Sequence, residues 1–380
     1  MSFSKDFAQG DSPMTQQSVS SRNHGVDLLR LLAMFYVLVL HVLGQGGVLE
    51  AAAEGTALHR FAWFLETWAY CAVDVFALIS GYVSYTERER PVRLSAYLLL
   101  WFEAVWYGVL GWVLVALLRL GPFSKRGVLY ALFPVTNGGH WYFTAYTGMF
   151  LLLPLVNAAL RKCSEGALRK FVAVLFGLAA FSCLADRFRF SDGYSVIWLT
   201  LLYICGAAMK KCRIGARIRN RRAFAGIVLM TGIVWFWKLF GPELEIMKVS
   251  VSRDMFLSYT SPFVLGTAVC YLLIFSRLRL PVPAVRAVRF AAPCAFAVYL
   301  LNCNDAVWEY GMKGRFAFLA EGGCLLFTAV TVLFSLAFFI AAVLLDRVRL
   351  YLFERLRVRE GAEHAAAAAG RLLGRIAGRL

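Results

Sequence analysis

Apolar runs about as long as a bilayer is thick recur along this chain, and no other feature limits its folding options as much. They lie at roughly 27–44, 61–85, 95–118, 141–160, 171–185, 195–209, 223–240, 259–276, 290–303 and 323–345. Inside hydrocarbon a run of this kind satisfies its backbone hydrogen bonds by coiling into a helix. The expectation is an all-α, polytopic membrane protein with about ten transmembrane helices. The runs at 171–185 and 290–303 are short, so their boundaries are the least defined. Composition agrees: 60% of the 380 residues are hydrophobic and 17% charged, with a mean hydropathy of +0.64, more apolar and less charged than soluble domains.

A formal charge of +17 raises the question of a nucleic-acid partner, and its distribution answers it. With the N-terminus inside, 29 of the 40 Lys and Arg fall in the segments on that side and 11 in the alternate segments. That bias is the positive-inside rule, so the charge reports topology and no nucleic-acid footprint, with both termini cytoplasmic. Residues 1–21 are polar, without the apolar core of a cleaved signal, and read as a disordered cytoplasmic lead. Residues 22–345 form the transmembrane part. Residues 346–380 form a basic cytoplasmic tail whose mixed basic and apolar residues suit either an interfacial helix on an anionic leaflet or a solvated helix.

The first span, RNHGVDLLRLLAMFYVLVLHVLGQGG, carries ionisable residues where lipid penalises them. Such residues face a protein interior or a water-filled cavity. His41 lies eleven steps along the chain from Arg30, a rotation of about 1100°, which returns both side chains to one helix face about 16 Å apart in height. Asp27, three residues before Arg30, is spaced for an ion pair that holds the guanidinium. A histidine on this face serves either as a helix-packing hydrogen bonder or as a general base that takes a proton from a hydroxyl. An arginine suits phosphate or a developing oxyanion.

Two further stretches hold polar groups in apolar surroundings. CAVDVFALISGYVSY contains Asp74, which either orients His41, binds a substrate or hydrogen-bonds neighbouring helices, and Ser80 beside Gly81. Glu66 and Glu103 are weaker cases of the same type. TNGGHWYFTAYTGMFLLLPLVN joins His140 to an aromatic cluster beginning at Trp141, which suits an interfacial aromatic belt and also a platform for a sugar ring. The nine cysteines are scattered through apolar runs without a CxxC pair or zinc-type spacing, so no metal site is expected. The basic stretch 210–222 is dense enough for a polyphosphate, though topology explains it equally. Phosphate-loop, Rossmann and soluble-hydrolase signatures are absent.

Taken in order, these stretches resemble the acyltransferase-3 family of integral membrane acyltransferases. The first span is similar to that family's opening helix, with arginine and histidine separated by ten residues, here Arg30 and His41. CAVDVFALISGYVSY, GGHWYFTAYTGMFLLLPLVN and the late APCAFAVYLLNCNDAVWEYGMKGRFAFLA resemble its later motifs, so the likeness runs from about residue 22 to 345. The resemblance implies transfer of an acyl group, commonly acetyl, from cytoplasmic acyl-CoA to a hydroxyl on an extracytoplasmic envelope carbohydrate or lipid-linked sugar. It implies catalysis by His41 and Arg30, with Asp27, Asp74, Ser80, His140, Trp141 and Asn302 supporting or binding substrate. It further implies a multi-pass protein of a bacterial-type inner membrane, with acetyl-CoA or another acyl-CoA as donor substrate and no permanently held cofactor.

One position departs from the family pattern. Where relatives read Tyr-Leu-Ile-His, this chain reads Tyr299-Leu300-Leu301-Asn302. Asparagine donates and accepts hydrogen bonds but does not exchange a proton near neutral pH. The departure keeps a non-catalytic sensor open beside the enzyme, and ten helices with polar interior residues also describe a glycan transporter.

Overall fold

In the computed structural model, which describes residues 22–89, 91–136, 140–184, 187–241 and 252–377, helix α1 (His24–Leu43) is the hub of an all-helical bundle. Asn23 caps it, its side-chain oxygen accepting from the Val26 amide at 3.1 Å. Apart from the stripe of Asp27, Arg30 and His41 the helix is apolar around its circumference, which fits an element enclosed by others. It packs against α2 (Ala57–Ala69), α3 (Ala72–Ser84), α9 (Pro262–Ser276), α10 (Val282–Ala291), α11 (Ala295–Asn302) and α12 (Cys324–Arg355). The remaining long helices are α4 (Leu94–Leu117), α5 (Trp141–Lys162), α6 (Glu165–Leu184), α7 (Val196–Lys211), α8 (Asn220–Phe240) and α13 (Val358–Ala377). No strand occurs among the described residues.

Each of the ten apolar runs lies in a helix or a pair of helices. Among the described residues, eight segments are long and apolar enough to cross a membrane, and α7 and α9, with 16 and 15 residues, are shorter. The runs expected to be short are not. The first extends to Glu165–Cys183 because its first two turns include Glu165, Arg169 and Lys170, which a hydropathy reading trims away. The second extends to Val282–Asn302 for the same reason, Arg286 and Arg289 lying on α10.

The tightest approach joins α3 and α7 through two glycines. A Cβ on Gly81 would strike the Tyr203 carbonyl, and one on Gly206 would strike the Leu78 carbonyl. Small residues at such a crossing let two backbones meet, which is how helices associate where the surroundings are apolar. Beyond α1, Gly47 takes a left-handed φ of 87° and closes the GQGG turn. The carbonyls of Gln45 and Gly46 there accept from the amides of Gly314 and Phe316, both at 2.9 Å.

The boundary expected at 346 falls inside a helix. Helix α12 runs unbroken to Arg355, and Asp346 and Arg349 are buried in the bundle. Helix α13 follows after a break at Arg357 (φ 54°) and packs on α4 and α12 with Ala362 fully buried. The proposed lead, residues 1–21, lies outside the described residues.

Candidate active site

The polar stripe of α1 is built as its spacing indicates, with one feature at each end. At the first end, Asp27 accepts from Arg30 Nη1 at 3.1 Å and from Arg22 Nε at 2.5 Å. The bond to Asp27 draws the Arg30 guanidinium back toward the helix start. Arg22, Asp27, Arg30, Tyr82 and Lys210 border an open hollow of about 470 Å³. Three cations against one carboxylate leave this hollow net positive, a fit for phosphate groups.

At the other end, His41 Nδ1 hydrogen-bonds the side-chain oxygen of Asn302, which is fully buried on the last turn of α11. A carbonyl oxygen only accepts, so Nδ1 carries the hydrogen and Nε2 carries the lone pair. The Trp308 ring meets the imidazole edge-on, 4.7 Å between centroids and 89° between planes, and restricts its rotation. His41 also borders a cavity of about 50 Å³ whose walls include Phe76, Trp141, Tyr142, Tyr259 and Tyr299. An imidazole held by one nitrogen and facing an aromatic enclosure has the construction of a general base.

The aromatic cluster that begins at Trp141 is interior. Phe143 is fully buried and Tyr142 nearly so. Trp141 stacks 6.1 Å from Tyr259, which stacks 4.8 Å from Tyr70. Trp141, Tyr142 and Tyr259 line the His41 cavity, so these three rings face the protein interior.

Other expected site residues lie apart from His41. Asp74 is buried and accepts from Trp198 Nε1 at 3.2 Å, so the residue that orients His41 is Asn302. Ser80 donates to the Phe76 carbonyl of its own helix at 3.0 Å. His140 pairs with the Leu300 carbonyl at 3.2 Å, which braces the turn before Asn302, and borders a separate small cavity with Asn304 and Asp305. Asn137, Gly138 and Gly139 lie outside the described residues. Among the residues described, no cluster of three metal-ligating side chains occurs.

Sequence reading offered Tyr142 as part of a possible sugar platform and missed Tyr259 as a wall of the cavity, Trp308 as a ring packed on His41, and Lys210 and Arg22 as neighbours of Arg30. Only a fold brings these together, apart from Arg22, whose five-residue offset from Asp27 is a usable signal. Outside the spans, the Arg253 guanidinium hydrogen-bonds Glu54 and holds its carboxyl below the usual range. That pair ties the loop carrying Tyr259 to the one following α1.

No curated protein and no solved structure matches the chain. The family model described as an acyltransferase domain matches residues 23–347, from the Asn23 cap of α1 to the buried turn of α12. With an oriented histidine, an anchored arginine and a match over most of its length, the chain is a membrane acyltransferase belonging to the acyltransferase-3 family.

Proposed function

We propose that this protein is an O-acetyltransferase of a bacterial-type inner membrane, carrying acetyl from cytoplasmic acetyl-CoA to a hydroxyl of an extracytoplasmic envelope glycan or lipid-linked sugar. The observation that carries this reading is the His41–Asn302 bond beside an enclosed aromatic cavity. His41 Nε2 takes the proton of the acceptor hydroxyl as its oxygen attacks the thioester carbon. The imidazolium then returns the proton to the leaving thiolate.

Arg30, with Arg22 and Lys210, supplies charge for the coenzyme phosphates at the hollow they border. The separation of about 16 Å between Arg30 and His41 along α1 is comparable with the reach of an extended pantetheine arm. Donor phosphates at one end of α1 therefore place the thioester at the other. The size of the His41 cavity supports a short acyl group: about 50 Å³ is room for roughly three to five water-sized groups, and acetyl has three heavy atoms.

The test is radiolabelled acetyl-CoA given to inside-out vesicles from cells with and without the gene. Label on envelope glycan that depends on His41 is the expected result. Glycan that crosses the vesicle unmodified would establish a transporter instead.

A further inference from the structure

Acyl transfer by a base alone leaves one charge unattended. When the acceptor oxygen attacks the thioester carbon, the carbonyl oxygen becomes an oxyanion that needs a hydrogen-bond donor within reach. Arg30 is not placed to serve. It sits three helical turns from His41, about 16 Å in height, and its ion pair with Asp27 draws it further toward the opposite end of α1.

The cavity beside His41 has its own donors. Two tyrosines, Tyr142 and Tyr299, line it with hydroxyls shielded from solvent, and the Tyr142 hydroxyl has no hydrogen-bond partner. Buried hydroxyls are normally paired, and an orphan in an enclosed site marks a place for a group that arrives later. The two differ in surroundings. The Tyr299 hydroxyl faces the backbone of Tyr142 and Phe143 at the start of α5. The Tyr142 ring shares the cavity wall with His41, and its buried hydroxyl has no hydrogen-bond partner. Its ring is held edge-on by Phe76 at 5.8 Å and by Trp141 at 5.6 Å, which limits its freedom to turn away.

We propose that Tyr142 is a catalytic residue whose hydroxyl donates to the thioester carbonyl oxygen and to the oxyanion formed from it. The inference rests on the acyl-transfer reading above. The acceptor oxygen forms the new C–O bond, its proton passes to His41 Nε2, and negative charge gathers on the oxygen facing Tyr142. Collapse restores the carbonyl, breaks the C–S bond, and the thiolate takes the proton from the imidazolium. Tyr142 donates throughout without losing its own proton, and no oxidant or further reactant is required.

The experiment compares the wild-type chain, Tyr142→Phe and His41→Ala in membrane vesicles that retain native envelope acceptor, with radiolabelled acetyl-CoA as probe. Tyr142→Phe keeps the ring and removes the donor. The expected result is a fall in kcat of about 100-fold with KM for acetyl-CoA unchanged within about twofold. Turnover within about threefold of wild type, or a raised KM at unchanged kcat, overturns the assignment. Should Tyr142→Phe fail to accumulate in the membrane, a difluorotyrosine at position 142 keeps shape and hydroxyl while making the phenol more acidic. Its rate should fall at alkaline pH where the wild-type rate holds, because a phenolate cannot donate, and matching profiles overturn the assignment. Failure of the function reading itself looks different: wild-type vesicles would then label no better than His41→Ala.

Discussion

His41 Nδ1 donates to the side-chain oxygen of Asn302, joining the last turn of α1 to the last turn of α11 across 261 positions of sequence. The bond decides which imidazole nitrogen is available for chemistry. In the proposed reaction the asparagine suits this position, since orienting a base through its far nitrogen requires an acceptor and no proton exchange.

From that bond, His41→Ala should lower acetyl transfer by a factor on the order of 10²–10⁴, the usual contribution of a general base. Asn302→Leu, which keeps similar bulk and deletes the acceptor, should cost about 10–100-fold, as for other partners that orient a catalytic ring. Both rates are read as label transferred per unit of inserted protein. A His41→Ala rate near wild type would remove the base, and an unaffected Asn302→Leu rate would leave the histidine oriented by Trp308 alone.

Arg30→Lys preserves charge and loses the planar fork that bonds Asp27 and, in the proposed reaction, would hold phosphate as well. The expected change is a rise in KM for acetyl-CoA of about tenfold or more, with a smaller loss in kcat. Titration of initial rates against acetyl-CoA concentration separates the two. If KM is unmoved, the hollow at Arg22, Arg30 and Lys210 is not where the donor binds.

The parts of this architecture visible in sequence are those set by local spacing. The Asp27–Arg30 pair follows from a three-residue offset on one helix, and the apolar runs follow from bilayer thickness. The pairing of His41 with Asn302 was invisible because neither residue encodes a partner 261 positions away. Tyr142 was hidden differently: an aromatic residue next to His140 fits an interfacial belt and an interior wall equally, and only burial separates them. Charge set the expected boundary at residue 346, where Asp346 and Arg349 end the apolar run, and the helix continues past it to Arg355. Arg349 also faces Glu103, and Asp346 accepts from Tyr107, both on another helix, so sequence carried no sign of this buried cluster.

At the crossing of α3 and α7, Gly206→Val should be destabilising. The added carbons would meet the Leu78 backbone, which cannot rotate aside as a side chain would. Overpacking of this type costs about 1–3 kcal/mol, and the rigid carbonyl places this site at the upper end. The check is the melting temperature of detergent-purified protein beside that of Gly232→Ala, where an added Cβ meets nothing within 4 Å. Equal melting temperatures would mean that the two helices part without penalty.

The buried cluster on α4 and α12 makes a two-sided prediction. Arg349 Nε bonds Asp346 at 2.5 Å, its Nη2 lies 3.4 Å from Glu103, and Tyr107 donates to Asp346 at 2.9 Å, with all four residues nearly or fully buried. Arg349→Ala strands two carboxylates in the interior and should cost about 3–5 kcal/mol. The pairing itself is a different quantity, because its attraction is set against the desolvation of every charge in it. Replacing the set together, Glu103→Leu with Asp346→Leu and Arg349→Met, should therefore recover most of the loss that Arg349→Ala causes. Thermal unfolding in one detergent compares the three proteins. A wild-type melting temperature for Arg349→Ala would show that water reaches the two carboxylates. A triple variant no better than the single would show that the cluster specifies how α4 and α12 pack, beyond balancing charge.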